Sequence, residues 1–230
     1  MKRDLSKKKI KKSFLNALSN TFKAYNIYGA RSNKKLIPIH TWFAETIISH
    51  LGNKYTCRSL KNKEYTLEGK YYPKTLDITI LYENKPIVTL SFKFVTSNYA
   101  QNANNYFENL LGETANIRRA GVAFTHFLVL RAHTPYYDKA AGSKRGKLKK
   151  VEILGEHHLQ KYIKLFKDLD FPHKPEVLGI AIVDFDEKGK VLFADLNDLE
   201  LSPNTIKIIN DAFSVGVFIR RIIALCNLKS

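Results

Sequence analysis

Thr75-Leu-Asp77-Ile-Thr-Ile-Leu81 and Ile87-Val-Thr-Leu-Ser91-Phe-Lys93-Phe94-Val95 are two β-branched runs joined by Tyr82-Glu-Asn-Lys-Pro86. The joint is a polar turn with proline at its far end, so the pair reads as a hairpin. Asp77 falls in the first strand and Lys93 in the second, each among Ile, Leu, Val and Phe. Buried charges are costly unless paired, metal-bound or at the rim of a site. A carboxylate can take a divalent ion and an ammonium on the adjacent strand can orient a water beside it, so the stretch reads as the core of a metal-dependent hydrolytic site. The other reading is an Asp–Lys pair with no metal.

Outward from the hairpin, Thr96-Ser97-Asn98 reads as a helix start and residues 99–119 as the helix. On a helical wheel Ala103, Tyr106, Phe107, Leu110, Leu111, Thr114 and Ile117 share one side, with Glu108 and Glu113 at its opposite edges. Arg118-Arg119 closes the helix, placed for its dipole and for a phosphate. Gly121–Leu130 follows as a central strand. Strand, helix, strand of this length fits a crossover to a parallel neighbour.

Upstream, Phe14, Leu15, Leu18 and Phe22 recur at helical spacing over 13–25, behind an arm with seven basic residues in 1–12. A second helix is expected over His40–Leu51, with Glu45 near the edge of its apolar face. Residues 54–74 interleave Tyr55, Tyr65, Tyr71 and Tyr72 with Arg58, Lys61, Lys63, Lys70 and Lys74, as a short strand or irregular connection. Basic residues among aromatics suit a surface that tracks a nucleic-acid backbone. Downstream, 131–150 reads as a long loop with Tyr136, Tyr137, Lys144, Arg145 and Lys147, able to enter a groove. Residues 151–166 read as a helix-like connection. Val177–Phe185 and Lys190–Ala194 read as a hairpin, and Ser202-Pro203 begins a final helix that Gly216 can kink.

The net charge is +17 at pH 7 over 230 residues. It is unevenly placed. Residues 161–230 carry ten Lys/Arg and ten Asp/Glu, so the whole excess falls in 1–160, with 28 basic against 11 acidic residues. A polyanionic partner explains such asymmetry, because each phosphate contact releases condensed counterions. We therefore expect a basic DNA-binding and catalytic core over 1–160 and a neutral part over 161–230 packed on it, whose apolar last helix is a candidate dimer surface. No apolar run is long enough for a membrane span, and the basic N-terminus lacks the apolar stretch of a secretory signal. Cys57 and Cys226 read as reduced thiols of an intracellular, cytoplasmic, prokaryotic-type protein. No phosphate-binding Gly-Lys-Ser/Thr loop and no zinc-deaminase signature is present. Glu156-His157-His158 reads as a surface segment.

The set Asp77, Ser91-Phe-Lys93 and a downstream glutamate resembles the PD-(D/E)XK nuclease superfamily, typified by type II restriction endonucleases. The resemblance covers about residues 40–130. It implies an α/β fold with a mixed central sheet flanked by helices, and Mg²⁺-dependent hydrolysis of double-stranded DNA by a homodimer. Lys93 matches the motif lysine and Asp77 the first aspartate, although Leu76 stands where proline is usual. Ser91 stands at the acid position, as in a Ser-X-Lys subgroup whose missing carboxylate comes from the next helix. By that resemblance Asp77, Ser91, Lys93 and Glu108 are catalytic, with Glu113 and Glu45 as further candidates, and Asp77, Glu108 and the Phe92 carbonyl are the metal ligands. Arg118, Arg119, Lys144, Arg145, Lys147, Tyr136 and Tyr137 are the expected DNA contacts. A repair or junction-resolving nuclease of the same fold and a non-catalytic nucleic-acid-binding protein are the alternatives.

Overall fold

The hairpin closes on Glu83 and Asn84, both left-handed at φ 47° and 67°, a tight two-residue connection whose twist suits antiparallel strands. It joins β4 (Ile78–Tyr82) to β5 (Lys85–Val95). The register shifts between Ile80 and Leu81, where Leu81 faces Pro86. Proline cannot donate to a ladder, so it sits at the irregularity.

The structure is a computed structural model and describes residues 7–29, 32–138 and 146–230. Before the hairpin come α1 (Lys7–Tyr28), α2 (Ile37–Ile48), the edge strand β1 (Tyr55–Ser59), and a small separate pair, β2 (Tyr65–Glu68) with β3 (Pro73–Leu76). After it come α3 (Tyr99–Arg118), β6 (Ala123–Arg131), the ribbon β7 (His133–Tyr137) with β8 (Leu148–Ile153), α4 (Glu156–Lys167), β9 (Val177–Phe185) and β10 (Val191–Phe193). The chain ends in α5 (Pro203–Ile208), a π turn (Ile209–Phe213) and α6 (Val215–Lys229).

The main sheet has six strands in the order β1-β4-β5-β6-β9-β10. The β5–β6 and β6–β9 pairs are parallel and the others antiparallel. This is the expected mixed sheet flanked by helices. Alternation along the strands divides the core in two. Ile78, Ile80, Leu90, Phe92 and Phe127 face α1, α2 and α6. Phe124, Leu128, Leu130, Ile180 and Ile182 face α3, α4 and the π turn. Every residue of β6 except Arg131 is buried, as a central parallel strand requires.

Several expectations change. Asp77 is not inside a strand: it is the break between β3 and β4. Residues 54–74 hold three strands, because Tyr65–Glu68 and Pro73–Leu76 pair with each other outside the main sheet. The basic segment 7–12 is part of α1. The helix expected from 151 begins at Glu156 as α4, and the loop expected over 131–150, of which 139–145 lie outside the described residues, is otherwise largely the β7–β8 ribbon. Its side chains supply what the start of α3 lacks: Asn98 N–H donates to Tyr136 Oη (3.1 Å) and Ala100 N–H to Glu152 Oε1 (3.1 Å).

A boundary at residue 160 falls inside α4, and β9 and β10 complete the same sheet as β4–β6. The last helix breaks at Ser214 rather than Gly216. Its residues Phe218, Ile219 and Ile222 are buried in the core of their own chain, Ile223 and Leu225 are half-buried, and Leu228 near its end is exposed. In the segment read as surface, His157 is exposed, Glu156 half-buried and His158 buried, and the Glu156 side chain is engaged. Its carboxylate accepts from Thr205 Oγ1 (2.6 Å), Ser202 N–H (2.9 Å) and Ser202 Oγ (3.0 Å), tying α4 to the start of α5, while His158 Nδ1 accepts the Gly155 N–H. Cys57 and Cys226 are free thiols, pushed up to about 12 by burial, and the two come within electrostatic reach of each other.

Gly179 lies opposite Phe127 on the neighbouring strand. A Cβ there would overlap the Phe127 and Phe218 rings, which pack edge to face at 4.8 Å. We expect Gly179→Ala to cost about 1–3 kcal/mol through overpacking, measured by chemical denaturation against the parent. Unchanged stability would show that this packing is not as tight as described.

Candidate active site

The ladder between β4 and β5 ends at Ile78–Leu90. The next β5 amide facing that side belongs to Phe92, and its N–H donates to Asp77 Oδ2 at 2.9 Å. The chain leaves the sheet at Asp77, so the side chain takes the place that a backbone carbonyl would hold. Phe92 thus meets Asp77 through its amide.

Alternate residues Thr89, Ser91 and Lys93 of β5 share the face toward α3. With Lys74, Thr75, Leu76, Asp77, Glu113 and Phe124 they line a cleft of about 70 Å³. That volume suits an ion with a few waters, not a whole nucleotide. Larger cavities lie between β9, β10 and the π turn and between α2 and β1, but each has only one carboxylate in its lining.

Glu113 is held in the cleft by Lys74 Nζ at 2.7 Å, with side-chain exposures of 16% and 35%. Glu108 is elsewhere. Five residues earlier on a helix is about 140° around its axis, and Glu108 is exposed, with its charge acting on Lys161 of α4. Glu45 is also elsewhere, paired with Lys61 at 3.2 Å in the groove between α2 and β1. Glu64, which nothing local in the sequence marks, lies near enough that Asp77 adds to the effect of burial in raising its carboxyl above the usual range.

Two buried histidines lie near this stretch of β5, on opposite faces of the sheet. His126 pairs in register with Ser91, and burial, then the charge of Lys93, push it down to about 3. His40 sits on α2 with its ring edge-on to Phe92 at 5.9 Å. Burial lowers His40, and Asp77 acts in the opposite sense.

The expected DNA contacts separate. Arg118 is a structural residue: it pairs with Asp170 (2.8 Å) and Glu176 (2.9 Å) and donates to the carbonyls of Phe171 and Lys174. Tyr136 is occupied too, donating to Glu152 Oε2 at 2.9 Å. Arg119, Tyr137 and Lys147 are exposed. Lys144 and Arg145 lie outside the described residues.

Asp77 and Glu113 are oxygen donors of the kind a hard cation takes. Among the described residues no group of three or more His, Cys, Asp or Glu could hold a metal. Two carboxylates in one small cleft are of the number and type with which a largely hydrated hard cation is commonly held.

No family model matches the chain, and no curated protein matches it. Among solved structures it is similar to E. coli MS115-1 NucC in its cAAA-bound form. The two share 12% identity at a TM-score of 0.47, over 96% of this chain and 88% of that one. What the cleft can do is read from its own groups.

His126 yields a prediction about acid. Its folded value is about 3, against about 6.5 when unfolded. The unfolded chain therefore binds the extra proton between those values, and stability falls as pH drops through that window. We expect the parent to lose up to about 1.4 kcal/mol per pH unit from this residue alone, and His126→Gln to show a shallower decline between pH 6 and 4 in denaturation curves. Equal slopes would mean that His126 is not buried as a neutral group.

Proposed function

We propose that the chain is a Mg²⁺-dependent endonuclease acting on double-stranded DNA, of the type II restriction kind. The observation that carries this is the convergence of Asp77, Glu113, Ser91 and Lys93 in one small cleft on a chain with a net charge of +17. Mg²⁺ bound by Asp77 and Glu113 would stabilise charge on the phosphate and lower the pKa of a bound water. Hydrolysis would add a water to phosphorus and break one P–O ester bond. Lys93 Nζ would orient the water and offset charge on the scissile phosphate. The Ser91 hydroxyl is a partner for a water in the cleft, not a nucleophile. Lys74 keeps Glu113 turned inward and adds a second amine beside the phosphate.

The ribbon β7–β8 supports a duplex partner. It leaves the sheet just after β6, at the end where β5 finishes and β4 begins, so it stands on the same side as Asp77 and Lys93. Tyr136 and Glu152 fix it to α3. Lys147, Lys149 and Lys150 are exposed along it, and a two-stranded ribbon is of a size to enter a major groove. A homodimer would bring two clefts to the two strands of a palindrome.

Cleavage of long duplex DNA with Mg²⁺ tests the reading. We expect discrete fragments from the parent, none with EDTA, and a rate at least about 10²-fold lower for Asp77→Ala and for Lys93→Ala. Glu113→Ala should fall comparably while Glu108→Ala cuts like the parent. Cutting by Asp77→Ala and Lys93→Ala at the parental rate would refute the site. Cutting confined to branched DNA would favour the junction-resolving nuclease, and tight binding without cutting the non-catalytic protein.

A further inference from the structure

The loop between β2 and β3 is built in an uncommon way. Asn116 of α3 is fully buried, and its side chain holds the loop at three points. Its Oδ1 accepts the N–H groups of Tyr71 (2.8 Å) and Tyr72 (3.3 Å), and its Nδ2 donates to the Tyr72 carbonyl (3.0 Å). Its own carbonyl accepts the Lys70 N–H at 3.0 Å. Gly69 lies so close that a Cβ would overlap the Asn116 side chain.

The rings this loop presents are not packed away. Tyr71 is 63% exposed and Tyr72 45%. Loops that expose large aromatics usually leave them free to fold back, whereas here the backbone beneath them is pinned to a buried helix residue. The Arg119 guanidinium lies over the Tyr71 ring, 5.8 Å from its centroid. Lys70 is on the loop itself.

The position is as telling as the construction. Asn116 is three residues from Glu113, hence on nearly the same side of α3. Tyr72 is two residues from Lys74, which is bound to Glu113 in the cleft. Two exposed aromatics, a guanidinium and a lysine are therefore carried by the chain segments next to the cleft-lining Lys74 and Glu113. Aromatic faces beside cations are what unstacked bases bind, since every base has a π-face and its backbone a negative charge.

We propose that the Tyr71–Tyr72 loop is a stacking platform for an unpaired base of the nucleic acid whose phosphate lies in the cleft. This deepens the nuclease reading and rests on it for the placement of the phosphate. The substrate class is then DNA with at least one base out of the stack near the cleavage point, either already unpaired or drawn out on binding.

The test compares two synthetic duplexes, one fully paired and one with a single unpaired 2-aminopurine, in EDTA so that binding is read without cutting. The parent is expected to bind the second about tenfold more tightly and to quench its fluorescence. Tyr71→Ala/Tyr72→Ala should lose both the preference and the quenching while keeping its affinity for the paired duplex within about twofold, and Tyr71→Trp/Tyr72→Phe should restore them. Both rings are exposed, so melting temperatures should match the parent. Equal binding of the two duplexes by the parent, or a preference that survives the double alanine variant, would overturn the proposal. So would loss of self-association in that variant with DNA binding unchanged, which would mark a contact between copies. Cutting with Mg²⁺ is scored separately on Asp77→Ala: a parent that discriminates between the duplexes without cutting either keeps the platform and loses the nuclease reading.

Discussion

One hydrogen bond organises the site: the Phe92 N–H donating to the Asp77 carboxylate at 2.9 Å. An amide at the end of a ladder must find a partner, since an unpaired buried donor costs about 1–3 kcal/mol. Here a side chain satisfies it, which frees the backbone to leave the sheet. β3 can then turn away to pair with β2 rather than continue beside β5. The gap so opened, between the departing strand and the face of β5, is the cleft. Fold and site are thus one feature, and Asp77 serves both.

The second constraint is alternation. Because β5 is central, one set of its residues is committed to the core around Phe43, Phe127 and Phe218. The other set, Thr89, Ser91 and Lys93, faces α3. Two carboxylates and two amines meet there, so the cleft is nearly balanced within a strongly basic chain. Lys74 and Glu113 neutralise one another across β3 and α3, while neutral His126 lies beside Lys93 without adding charge. The surplus positive charge is left to outer surfaces such as the ribbon and Arg119, where a phosphate backbone is drawn by long-range attraction.

How far this was legible in the sequence follows from the range of the forces involved. The hairpin, α3 and β6 are readable because periodicity and turn chemistry are local. The carboxylate from α3 is readable only as a choice between Glu108 and Glu113, since the roll of a helix against a sheet is set by packing, not by its own pattern. Arg118 looks like a phosphate contact because its partners, Asp170 and Glu176, are more than fifty residues away. The ribbon looks like a loop because its exposed lysines hide the alternation. Asp77 looks like a strand residue because nothing in Leu76-Asp77-Ile78 shows that β3 has a second partner. The break at Ser214 follows from the π turn before it, and Gly216, nearby and flexible in principle, is simply helical.

Asp77 and Glu113 are proposed to hold a divalent ion together. Crystals of the protein soaked in Mn²⁺ test this directly through anomalous scattering. One strong peak is expected between the Asp77 and Glu113 carboxylates, lost in Asp77→Asn. A peak only in the groove beside Glu45, or none within the cleft at saturating Mn²⁺, would contradict it.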